Sequence, residues 1–222
     1  MCPTVFYLRI VFLYCVLLIQ TGCSMLDNPA IDTFKDAFKI GHSHKESPQF
    51  DPRFNYLYVT LQNRSTYLAG SPVSESLEHW YSALSDEITL SQGRIIDIHG
   101  TLTEWHRVHF THLPSWASLL NHRQSVTYSR IRDQMPGYLV NEKEELRLTP
   151  LTTAPILTLR FHNANQLIWF EETNLTNSQL QPSFYALAQT QSTVQVVFTY
   201  TCLAPHYCLS LEQIPRQVIT RP

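Results

Sequence analysis

From Phe54 to Leu203 apolar and aromatic residues recur with a period of two, in short runs broken by turn residues, and no segment of similar length keeps a helical period. Successive side chains of a strand point to opposite faces, so this pattern predicts strands with one buried and one solvated face. FNYLYVTL, STYLAG, LEHWYSAL, EITLS and RIIDIHGTL follow one another, separated by Gln62-Asn63-Arg64, Gly70-Ser71-Pro72, Ser85-Asp86 and Gln92-Gly93. Asn63 and Gly93 tolerate positive φ and are the expected turn residues of an antiparallel meander. Between Thr103 and Gln124 the alternation weakens, and Pro114 to Leu120 reads as a short helix started by its proline. SVTYSRIRD, YLVNEKEELRLTP, ILTLRFHN, QLIWFEETN, PSFYALAQT and STVQVVFTYTCL are again strand-like. The predicted class is all-β: a large antiparallel meander sheet curved or folded on itself, half-barrel or sandwich-like.

The N-terminal segment has a different character. Arg9 is the only charge before Asp27, and Ile10 to Ile19 is almost unbroken apolar sequence, too short for a permanent membrane helix but suited to a signal-peptide core. Gln20-Thr21-Gly22-Cys23-Ser24 follows directly and resembles a bacterial lipobox, in which the cysteine is acylated on sulfur and becomes the new N-terminus. The alternative is an ordinary signal peptide or an uncleaved anchor in which Cys23 is a buried thiol. Several acyl chains on one cysteine anchor stably where a single chain holds only marginally. With Ser24 next to the cysteine, the lipobox resemblance implies delivery to the outer membrane. Beyond it, Asn28-Pro29 can start a helix with Ile31, Phe34 and Phe38 on one face and Gly41 at its end, expected to pack against the domain. The organisation read here is a signal peptide over residues 1–22, an anchor, short amphipathic helix and loop over 23–52, and a single β-rich periplasmic domain over 53–222.

Charge excludes one class of partner. The formal charge of the 222-residue chain is −2, or −3 once residues 1–22 with their single arginine are removed, and no basic block exists to neutralise phosphates. Nucleic acid is not an expected partner. Of five cysteines, Cys2 and Cys15 leave with the signal and Cys23 takes the lipid, which leaves Cys202 and Cys208. In an oxidising periplasm these two are expected to form a disulfide, with Pro205 in the turn between them. A metal site of Cys202, His206 and Cys208 is the competing reading, but it lacks a fourth ligand nearby.

The chemistry-bearing residues are weighed against ordinary structural roles. His106, His109 and His112 are the densest histidine cluster, yet on a strand His109 faces away from the other two, and on a helix no nearby carboxylate completes the set. No metal and no cofactor are expected. Glu142, Glu144, Glu145, Glu171 and Glu172 could supply a carboxylate pair for glycoside hydrolysis, but on strands such residues are more often the solvated positions of an alternation. No catalytic residue is nominated. Trp80, Trp105 and Trp169 are candidate platforms for sugar rings, with core packing as the commoner fate of a tryptophan.

The order of several segments is similar to that of the YjbF/GfcB family of lipoproteins, associated with group 4 capsule and exopolysaccharide loci. The lipobox is followed by IDTFKDAFKIG over residues 31–41, then by FNYLYV over 54–59 at the place of the family's first strand. Trp80-Tyr81-Ser82-Ala83 leads through Glu87-Ile88-Thr89-Leu90 into Gln92-Gly93-Arg94-Ile95-Ile96, similar to the family's WYSAD…NGRLV hairpin. Tyr128-Ser129-Arg130-Ile131-Arg132-Asp133 with Pro136-Gly137-Tyr138 resembles its arginine and Pro-x-Tyr region. The likeness spans roughly residues 17 to 150, and its strength is collinearity. The resemblance implies a non-enzymatic accessory of capsule or exopolysaccharide assembly or export, held by its lipid on the periplasmic face of the outer membrane. It implies partners among polysaccharides or export-machinery proteins. A polysaccharide-modifying enzyme, or a carrier of lipid or lipidated protein, are the alternatives.

Overall fold

A computed structural model of the chain describes residues 50–219 apart from 63, 72–76, 84 and 191–192. Cys23, the helix expected over 28–41 and Asn63 lie outside the described residues. Twelve strands form one sheet: β1 (Asn55–Leu61), β2 (Arg64–Ser71), β3 (Glu78–Tyr81), β4 (Glu87–Ser91), β5 (Arg94–His99), β6 (Glu104–Thr111), β7 (Val126–Met135), β8 (Leu139–Leu151), β9 (Ile168–Asn174), β10 (Ser183–Gln189), β11 (Val194–Ala204) and β12 (Tyr207–Gln213). Among the described residues the helices are short: α1 (Trp116–His122) between β6 and β7, a 3-10 turn at Ala164–Gln166, and α2 (Arg216–Ile219) after β12.

All pairings are antiparallel, and the sheet order is β5-β4-β3-β2-β1-β12-β11-β10-β9-β8-β7-β6. The first and last strands are therefore paired within the sheet, near its centre, and the two edges are the sequence neighbours β5 and β6. No backbone ladder joins those edges, yet they lie side by side, with His106 Nδ1 3.0 Å from Asp97 Oδ1. The sheet curls into a nearly closed barrel with one seam. Closure of this kind leaves little open edge for a further strand to join.

Alternation decides what fills the interior. Leu57, Val59, Leu68, Ile88, Ile95, Ile98, Trp105, Leu209 and Leu211 form one apolar cluster, and Tyr128, Leu146, Leu148, Phe170, Tyr185 and Leu187 form a second with Trp116 and Leu119 of α1. Each fully buried aliphatic side chain among them contributes on the order of 1.5–3 kcal/mol. Ser115 caps α1, its side chain accepting from Ser118 N, so the helix begins one residue after the proline–serine pair that the sequence offers as its start. The β4–β5 turn uses left-handed backbone at Gln92 and Gly93, with φ of 51° and 77°. A Cβ at Gly93 would lie 2.5 Å from Val196 Cβ, so glycine here serves both the turn and the close approach of β11. Thr199 Oγ1 of β11 donates to Gly93 O at 2.8 Å across that contact.

One expectation needs correction. The run ILTLRFHN over residues 156–163 is not a strand; it lies in an irregular segment, with Leu157 and Leu159 packed on Trp169, Ala186 and Phe198. Its backbone N–H groups at Arg160, Phe161 and His162 donate to the carboxylate of buried Glu212, at 2.7, 2.7 and 3.1 Å, where a strand would donate to a neighbouring carbonyl. One carboxylate thus replaces a ladder. At the C-terminus Tyr207 to Gln213 forms a full strand, β12, pairing with both β1 and β11. Cys202 and Cys208 are direct register partners on β11 and β12 and are joined as a disulfide, with the Pro205-His206 turn between them. The sequence reading of that pair holds.

Candidate functional site

Arg130, Arg132, Glu144 and Glu172 form a connected network of buried charges in the interior. Arg130 and Arg132 stand two apart on β7 and so share a face, and Arg130 is the register partner of Glu144 on β8. Arg130 Nη2 meets Glu144 Oε2 at 2.7 Å, Arg132 Nε meets the same oxygen at 3.0 Å, and Asn174 Nδ2 donates to Oε1 at 2.7 Å. Both guanidinium groups also lie over the ring of Trp105, 4.4 and 4.6 Å from its centroid. Burial alone would push the Glu144 carboxyl up, but Arg130 and Arg132 together hold it at about 2. It is an ionised anchor, not a proton donor.

A second group adjoins it. Glu172 accepts from Tyr128 and from Tyr185, the latter at 3.2 Å, and Arg130 Nη1 lies 3.7 Å from its Oε1. Burial, then the charge of Glu172, raises both phenols well above their ordinary range. Arg94 of β5 completes this group: it is 1% exposed, lies 3.9 Å above Trp116 and 5.1 Å from Tyr185, and its guanidinium nitrogens find no hydrogen-bond acceptor among the described residues. An aromatic box holds this cation in place of a carboxylate. Trp116 is fixed by donation from Nε1 to Gln92 O at 3.0 Å, and it borders a cleft of about 430 Å³ lined also by Gln92, Gly93, Ser115 and Gln195. Glu78 reaches the same cleft, and burial raises its carboxyl pKa.

The glutamates depart from the alternation reading. Glu142, Glu145 and Glu171 are half-buried or exposed, whereas Glu144 and Glu172 are only 1% and 3% exposed. They occupy interior positions because arginine and tyrosine partners are already there. Trp80, Trp105 and Trp169 are 4%, 2% and 2% exposed, so none presents a ring face to solvent. Trp105 Nε1 donates to Leu203 O at 3.0 Å across the interior, and Trp169 Nε1 to Ala164 O at 2.8 Å.

The histidines are also redistributed. A bulge in β6 at Arg107, whose φ is 50°, shifts the alternation, so Trp105 and Val108 are both buried while His106 and His109 both lie on the outer side. His109 does not face away from His106 as a regular strand would require. The partners of His106 come instead from β5 and from its own strand: Asp97 Oδ1 at 3.0 Å from Nδ1, and Glu104 Oε2 at 3.2 Å from Nε2. His99 Nε2 lies 2.7 Å from the same Asp97 oxygen. Asp97, His99 and His106 place one ligand atom each within 4.8 Å of the others. The signal for this cluster was present as Asp97-x-His99 and Glu104-x-His106, two same-face pairs, but joining them requires knowing that β5 and β6 meet.

Comparison with protein-family models and with curated proteins gives no match. Among solved structures, the crystal structure of the hypothetical lipoprotein YmcC from Escherichia coli K12 is similar, with a TM-score of 0.54 and 11% sequence identity over 87% of this chain and 97% of that one. At that identity the likeness concerns the fold. The fold described above is thus similar to that of a lipoprotein over nearly its whole length.

Proposed function

We propose that the protein is a lipid-anchored accessory of capsule or exopolysaccharide assembly or export, related to the YjbF/GfcB lipoproteins, tethered through Cys23 to the periplasmic face of the outer membrane. The observation that carries this reading is a lipobox-like Gln20-Thr21-Gly22-Cys23 placed ahead of a β domain whose fold is shared with a lipoprotein. The collinear segments from Trp80 to Tyr138 point to the same family. A non-enzymatic role accords with Glu144, the most deeply buried glutamate among the described residues, being held ionised by two arginines and so unable to protonate a leaving group at neutral pH. The interior is occupied by the protein's own side chains, Trp105 and Arg132 among the largest, which disfavours carriage of an acyl chain.

The test is complementation of a deletion strain. Surface polysaccharide is measured with the wild-type chain and with Cys23→Ala, and both are followed by membrane fractionation. The expected result is loss of surface polysaccharide on deletion, restored by the wild type and not by a soluble Cys23→Ala protein. Unchanged polysaccharide in the deletion strain contradicts the export role.

A further inference from the structure

We propose that Asp97, His99 and His106 form a binding site for a first-row divalent transition ion, with Zn²⁺ the best fit, at the seam where β5 and β6 face one another. The three donors are two imidazole nitrogens and one carboxylate oxygen, a set that suits Zn²⁺ and its neighbours and discriminates against Mg²⁺. Donor atoms around a tetrahedral zinc lie about 3.3 Å apart for metal–ligand distances of about 2.0–2.1 Å. The observed separations of 2.7 Å for His99 Nε2 to Asp97 Oδ1 and 3.0 Å for His106 Nδ1 to the same oxygen require only small side-chain rotations to admit an ion. With three protein ligands the fourth position is open to water.

The surroundings of His106 favour a cation there. Its two ring nitrogens each face a carboxylate, Asp97 at Nδ1 and Glu104 at Nε2. A neutral imidazole carries one N–H and can donate to only one of them. Glu104 is itself held in position, its other oxygen accepting from Gly100 N at 2.7 Å. Gly100 has φ of 85°, and a Cβ there would lie 2.4 Å from Asp86 Oδ1, so the loop that presents this N–H is closely constrained. In the neutral tautomer with Nε2–H donating to Glu104, the Nδ1 lone pair is directed at Asp97, and an ion between them turns opposed lone pairs into two bonds. A carboxylate behind a metal-bound histidine is the usual arrangement for setting its tautomer and orientation. The site is reachable from solvent, the side chain of His99 being 51% exposed and those of Asp97 and His106 31% and 19%. Its position has a mechanical consequence: the ion would join two sheet edges that share no backbone ladder.

The experiment uses the full chain, stripped of metal with EDTA and titrated with Zn²⁺ against a chromophoric chelator. Co²⁺ substitution provides a spectrum of the coordination sphere. The expected result is one Zn²⁺ per chain, weakened at least tenfold by His99→Ala or Asp97→Asn and about 10–100-fold by Glu104→Gln. Millimolar Mg²⁺ should not compete, and a His109→Ala/His112→Ala variant should bind as the wild type does. His99 is exposed, so His99→Ala is the variant that keeps the fold, verified by an unchanged circular dichroism spectrum. Absence of saturable binding, or binding that survives in His99→Ala and Asp97→Asn alike, overturns the proposal.

Discussion

Arg130 Nη2 and Glu144 Oε2 face each other at 2.7 Å across the β7–β8 ladder, with side chains 5% and 1% exposed. Two charges withdrawn from water to this degree are tolerated only as partners, and removing one leaves the other buried and uncompensated. Glu144 is shared by two arginines, so its loss removes a close buried partner from both, leaving Arg130 with Glu172 at 3.7 Å and Arg132 with half-buried Glu142 at 3.0 Å. Glu144→Gln is expected to destabilise the domain by about 3–5 kcal/mol. Exposed Glu145→Gln should stay within about 0.5 kcal/mol. Urea unfolding of the two variants beside the wild type provides the measurement, and equal midpoints would contradict the network's role.

Acid should unfold the protein in a defined window. Glu144, held at about 2, and Glu212, held below the ordinary carboxylate range by His162 and by the N–H groups of Arg160 and Phe161 against the upward push of burial, both have depressed folded-state pKa values. Each therefore contributes stability that is fully present above an unfolded pKa of about 4.5 and is lost as the pH falls through the folded value. For Glu144 the contribution is on the order of 3 kcal/mol. Stability should be flat near neutrality and fall between about pH 4.5 and pH 2. Glu212→Gln should flatten part of that fall, and a protein whose stability does not change below pH 4.5 would refute the assignment.

The Cys202–Cys208 disulfide closes a short loop, with a sequence separation of 6. Loop-closure entropy for so few residues corresponds to about 2 kcal/mol. Reduction, or a Cys202→Ala/Cys208→Ala variant, should lower the melting temperature by several degrees without unfolding the sheet at room temperature. A melting temperature indifferent to reductant would contradict this.

The fold was legible wherever alternation acts alone. β1 to β5 and β7 to β11 follow the runs visible in the sequence, and the Gln92-Gly93 turn follows from glycine's tolerance of positive φ. Residues 156–163 misled because β-branched and aromatic composition measures a fit to a pleated surface, while their N–H groups were claimed by Glu212, some fifty residues away in sequence. β12 was obscured by the cysteine pair, although Tyr207, Leu209 and Leu211 alternate and are buried. The histidine parity failed at Arg107 because one bulged residue inverts every position after it. The interior glutamates and the Asp97–His106 contact depend on which strands become neighbours. A single strand's pattern carries no information about a partner across the seam.

The functional account rests on Cys23 tethering this domain to a membrane. Intact-mass analysis of the protein extracted from membranes of cells expressing the full chain tests that most directly. The account predicts a polypeptide beginning at Cys23 and carrying acyl mass on that residue, absent in Cys23→Ala. A membrane-bound species that retains residues 1–22, or a soluble one with an unmodified Cys23, would contradict it.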